Sequence, residues 1–151
     1  MATQFEPSRK RVTHDQRTLR LLVPPDACYA RTVRDAIIGF ASLHGIAADE
    51  LEAILFAVGE ALANAIEHAA SCDDIEVTCE VDRHQILATV TDRGKGYPEL
   101  PSGIVPLPSD LSERGRGIPI MQRCTDFFDV VRLPGRGTAV RLGRLRKGAA
   151  P

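Results

Sequence analysis

Glu60 and Asn64 stand four residues apart in a segment otherwise made of alanine and aliphatic side chains. On a helix that spacing sets the carboxylate beside the carboxamide. A carboxamide oxygen is a hard donor suited to Mg²⁺, and a carboxylate next to it can take a proton from an attacking hydroxyl. The pair by itself reads more plainly as a solvated helix face. Three glycine-bearing segments follow it in the chain. DRGKG, with Asp92, Gly94 and Gly96, ends a strand pattern, and its glycines let backbone turn sharply or approach a ligand. RGRG, with Gly115 and Gly117, stands just before Pro119, where backbone N–H groups entering a helix can hold an anion. GRGT, with Gly137 and Thr138, sits in a hairpin turn. Each of the three, taken alone, is an ordinary turn or linker.

The elements that must position these residues follow from periodicity. Residues 18–23 alternate as a strand closed by Pro24-Pro25. Asp26 caps a helix with Ala30, Val33, Ile37, Phe40 and His44 on one stripe, ended by Gly45. A second helix is expected from Asp49, with Glu52 as its capping-box partner, to about Ser71. At about 100° per residue, Leu51, Ile54, Leu55, Val58, Leu62, Ala65, Ile66 and Ala69 share its core face. Ala53, Ala57, Glu60 and Asn64 fall nearly opposite, and His68 continues their row as a lone histidine with no assigned role. Residues 75–81 and 86–91 alternate as two strands around Asp82-Arg83, a hairpin. Prolines 98, 101, 106 and 108 break residues 96–115 into a long loop. A short helix over 119–125 and a hairpin of 128–133 with 138–145 complete the chain.

The order predicts an α+β two-layer sandwich, a mixed, mostly antiparallel sheet with helices on one face. Residues 1–17, polar and carrying Arg9-Lys10-Arg11, are expected to be a flexible arm; 18–146 form the domain and 147–151 a tail. The 151 residues fit one domain. Nineteen Lys+Arg against twenty Asp+Glu leave a net charge of -1, which argues against direct nucleic-acid binding. The longest apolar run, residues 54–58, is far short of the roughly 18 residues of a membrane span, so no membrane contact is expected. Cys28, Cys72, Cys79 and Cys124 show no metal-ligand spacing and are expected to be buried, reduced thiols of a cytoplasmic protein. No GxxxxGK[ST] is present, so a P-loop is excluded.

Weak one by one, the segments are specific in combination. EALANAIEHA, DRGKG, RGRGI and the final GT resemble, in order and spacing, the N, G1, G2 and G3 boxes of the GHKL ATPases. Within that superfamily the chain is most similar to the bacterial anti-sigma-factor serine kinases of the RsbW and SpoIIAB type, over residues 18–145. The resemblance implies ATP and Mg²⁺ as cofactors, with Asn64 as the metal ligand. It implies that Asp92 accepts from the adenine amino group and that Thr138 supports this contact. Gly94 and Gly96 would pass the base and hinge a lid, Gly115 and Gly117 would cradle phosphate, and Glu60 would be the general base. Pro119 departs from the large apolar residue usual there, so the helix after the lid is expected to start differently.

The function so implied is a serine-protein kinase of a partner-switching circuit. It would phosphorylate a small anti-sigma antagonist and sequester a sigma factor or another effector, as a homodimer. The alternative is an ATP-responsive effector-binding module with little or no kinase activity. A histidine-kinase catalytic domain would need a dimerising hairpin with an acceptor histidine, which the short arm is not expected to supply.

Overall fold

The computed structural model describes residues 11–15, 17–68, 73–94, 117–134 and 137–147. Six strands form one sheet: β1 (Arg11–Asp15), β2 (Thr18–Val23), β3 (Ile75–Val81), β4 (Gln85–Asp92), β5 (Phe127–Arg132) and β6 (Thr138–Leu145). Their spatial order is β1-β2-β3-β4-β6-β5, and every neighbouring pair is antiparallel. The alternation expected of a half-buried sheet is present: Leu19, Leu21 and Val23, then Ile75, Val77, Cys79 and Val81, then Ile86, Ala88 and Val90, all point into the core. The β3–β4 turn is fastened by Asp82, whose Oδ1 accepts from His84 N at 2.7 Å and Gln85 N at 2.9 Å.

Helices cover one face. Asp26 accepts from Cys28 N and caps a 3-10 turn, Ala27–Tyr29, which leads into α1 (Ala30–Leu43). Gly45, at φ +66°, ends it in the left-handed conformation that favours glycine. α2 (Ala48–Glu67) is the central helix, packed on β4 and β6 with α1 on one flank and α3 (Gly117–Cys124) on the other. Ile54, Val58, Ala61, Leu62 and Ala65 bury against the sheet. The architecture is the predicted α+β sandwich.

Several local expectations are corrected. Residues 11–15, expected within a structureless arm, form β1 and pair with β2 from Arg11↔Leu22 to Asp15↔Thr18. The edge of β2 supplies hydrogen-bond partners that a local reading of polar sequence does not see. The capping carboxylate of α2 is Glu50, accepting from Ala47 N at 3.3 Å, because the helix is capped at Ala47, two residues before the expected Asp49. Ala57, placed nearly opposite the core, is fully buried because α3 closes over that flank. α3 itself begins at Gly117, two residues before the predicted start. Its Pro119 stands in the first turn, where the missing N–H has no helical acceptor to lose. Among the cysteines, Cys79 is buried, and burial pushes its thiol up to about 12. Cys28, however, is exposed on the 3-10 turn. The proline-rich loop and Cys72 lie outside the described residues. Among the described residues no helix is long and apolar enough to cross a membrane.

Candidate functional site

The C-terminal half of α2 presents Glu60, Asn64 and His68 on successive turns towards α3 and the ends of β4 and β6. Gly117, the first residue of α3, lies directly against the first two. A Cβ there would stand 3.0 Å from Asn64 Nδ2, 3.5 Å from Asn64 Oδ1 and 3.5 Å from Glu60 Oε2. A carboxylate and a carboxamide therefore converge on one backbone position at the start of a helix. The opening N–H groups of a helix have no intrahelical acceptor and carry its positive dipole end.

The second half of the site is built from strand ends. β4 closes on Asp92, which pairs across the ladder with Thr138 at the start of β6. Asp92 is 8% exposed, and its Oδ1 accepts from Gly94 N at 2.8 Å. Burial pushes its carboxyl above the usual carboxylate range, opposed by the Gly94 N–H and by the charge of nearby His68. Thr138 is fully buried, and among the described residues its Oγ1 has no hydrogen-bond partner. Such an atom is costly to leave unsatisfied, and native structures keep few of them.

Two glycines make this packing possible. A Cβ on Gly94 would collide with the carbonyl oxygen of His68. Gly137 has φ +125°, and a Cβ on it would collide with the carbonyl oxygen of Asp92. Together they bring the C-terminal end of α2, the end of β4 and the start of β6 into backbone contact. Between them lies a small, shallow recess. Asn64, His68 and Asp92 are its polar walls; Ala65, Val90 and Val140 are apolar.

Of the residues singled out in the sequence, the structure brings Glu60, Asn64 and Gly117 together at one point, and Asp92, Gly94 and Thr138 at another. Asn64 borders both. Gly96 and Gly115, together with Lys95, Arg114 and Arg116, lie outside the described residues. Two residues were missed. His68 lines the recess beside Asp92, and its spacing of four from Asn64 was the available signal. Gly137 is required by its positive φ, whereas the GRGT turn around it looked ordinary.

Residues 23–144 match the family described as histidine kinase-like ATPase domain. An anti-sigma F factor of Pasteuria penetrans is 33% identical over 116 residues, covering 72% of this chain and 77% of that protein. An anti-sigma F factor of Thermoanaerobacter sp. (strain X514) is 31% identical over 119 residues, covering 76% and 81%. Among solved structures, the RsbU and RsbW domains of Rv1364c from Mycobacterium tuberculosis match with a TM-score of 0.66 at 22% identity, over 87% of this chain. This chain spans 33% of that one, and the likeness is one of fold. The chain belongs to the histidine kinase-like ATPase family, on the branch that holds these anti-sigma factors.

Proposed function

We propose that this protein is an ATP-dependent serine kinase and anti-sigma regulator of a partner-switching circuit. It binds Mg-ATP, phosphorylates a serine on a small antagonist protein, and sequesters a sigma factor or another effector. The observation that carries the reading is the meeting of Glu60 and Asn64 at Gly117, beside a recess walled by the buried Asp92 carboxylate, whose ladder partner Thr138 has a buried hydroxyl with no partner among the described residues.

The residues present fit the nucleotide. Aliphatic walls suit the faces of a purine, and the Asp92 carboxylate is a buried acceptor for an exocyclic amino group. Thr138 Oγ1 gains the partner it lacks, directly or through a bridging water. Gly117, at the start of α3, brings the opening N–H groups of the helix next to Asn64 and Glu60, where a phosphate would meet them. Among the described residues no cluster of three or more His, Cys, Asp or Glu gathers that could hold a metal. The family resemblance makes the Asn64 oxygen the protein's ligand to Mg²⁺, whose remaining positions would suit phosphate oxygens and water. When bound, ATP supplies the phosphoryl group and Mg²⁺ offsets its charge.

The chain's own contribution is placement and one proton. Asn64 fixes the phosphate end and Asp92 the base end. Glu60 Oε2 takes the proton of the serine hydroxyl as the oxygen attacks. The family resemblance further suggests a cytoplasmic homodimer.

Labelled ATP and the purified antagonist test this reading. Wild type is expected to transfer the γ-phosphate to serine, and Glu60→Ala to lower transfer by about 10²–10⁴-fold while nucleotide binding persists. Nucleotide binding by wild type without any transfer would leave the effector-binding module as the correct account.

A further inference from the structure

The outward face of α2 carries a feature that nucleotide chemistry leaves unused. Its exposed positions beyond the first turn are Glu52, Phe56, Gly59, Ala63 and Glu67, one stripe along the helix. Phe56 is 58% exposed, an aromatic ring standing on a crest of small residues. Gly59 is bare as well: a Cβ there would meet nothing within 4 Å. The whole helix contains no Lys or Arg, and of its acids Asp49 and Glu50 are already bound to Lys147. Glu52 and Glu67 are left at the two ends of the crest.

A single exposed Phe is common on protein surfaces and by itself means little. Its position relative to Glu60 is what matters. Phe56 and Glu60 are one turn apart, roughly 6 Å along the axis and about 40° around it. A folded substrate whose serine reaches Glu60 Oε2 covers on the order of 800 Å² of this surface, a patch on the order of 16 Å in radius. Any such footprint centred on Glu60 includes Phe56.

We propose, on the strength of the kinase reading above, that Phe56 is the docking residue for the protein substrate. An apolar side chain next to the acceptor serine seats on the Phe56 ring. Gly59 and Ala63 let the substrate's backbone approach the helix closely. Glu52 and Glu67 stand at the two ends of the crest and Arg31 and Arg34 of α1 line the groove beside Gly59, so the contact the crest itself offers is with an apolar patch of the substrate.

The test uses the full chain and the small antagonist that wild type phosphorylates. Phe56→Glu and Phe56→Leu are compared for KM and kcat towards the antagonist, and for affinity towards a fluorescent ATP analogue. Phe56→Glu is expected to raise KM for the antagonist about tenfold or more, with kcat and nucleotide affinity unchanged. Phe56→Leu keeps the apolar contact and stays within about twofold of wild type. Wild-type KM in Phe56→Glu overturns the inference and leaves the kinase reading standing. An equal loss of nucleotide affinity in Phe56→Glu also overturns it, because the ring would then serve the fold. Absence of transfer by wild type overturns the kinase reading, and the docking role with it.

Discussion

The two ends of α2 each hold a buried carboxylate close by, and the two are treated in opposite ways. At the N-terminal end Glu50, 2% exposed, accepts from Ala47 N and from Lys147 N. Around it Lys147 pairs with Asp49, and Arg146 donates to the carbonyls of Asp82, His44 and Gly45. That end ties the connection between α1 and α2 to the β3–β4 turn and to the chain beyond β6. At the C-terminal end Asp92 receives a backbone N–H from Gly94, yet burial still raises its pKa, and Thr138 beside it has an unsatisfied hydroxyl. One end is closed by hydrogen bonds and serves the fold. The other holds a buried hydroxyl with no partner among the described residues, at some cost to stability.

Substitutions at the two ends separate these roles. The largest effect is expected at Asp92. Asp92→Asn turns an NH₂ group towards the donor it should accept from, so nucleotide affinity falls by about 100-fold in a fluorescence titration. Its stability effect depends on pH. Because the folded state holds the Asp92 proton more tightly than the unfolded chain does, wild type gains stability relative to Asp92→Asn as pH falls from neutral to below the ordinary carboxylate range. That advantage disappears as pH rises through the raised value. Thermal melts of both proteins at neutral pH and at about pH 3 check the sign.

Glu50→Ala comes next and acts on the other quantity. It strands two backbone N–H groups, so denaturant unfolding should show a loss of about 2 kcal/mol. Below the transition, nucleotide binding should be unchanged; lost binding in the folded variant would break the distinction between the ends. Thr138→Val removes a buried hydroxyl that has no partner among the described residues. Stability should rise by about 1 kcal/mol while nucleotide affinity falls about tenfold, and a fall in both would deny the hydroxyl a ligand role. The smallest effect belongs to Asp49→Ala. Its pair with Lys147 is solvated on both sides, and the melting midpoint should hardly move.

Much of this was legible in the chain. Alternation at 18–23 and 75–81 marked two strands to the residue, because half-buried strands must alternate. The glycines of DRGKG were legible as a place of sharp turning or close approach to a ligand, but not as a contact between backbones. Burial on α2 was harder to read. Periodicity identifies the side facing the sheet but not a flank covered by α3, so Ala57 and the surroundings of Glu60 were misjudged. β1 escaped for a related reason: its order comes from pairing with β2 rather than from an apolar pattern of its own.

The sequence by itself determined the sandwich and the residue types able to handle a nucleotide, since both are written in local spacing. Only the tertiary structure decided which of those residues share a point in space. Glu60 and Asn64 acquire a common target because α3 starts at a glycine pressed against them. His68 becomes a wall of the recess because Gly94 lets the β4 end rest on its carbonyl. Neither contact lies within reach of sequence periodicity, because each joins residues separated by many positions along the chain through backbone approaches that a single Cβ would forbid.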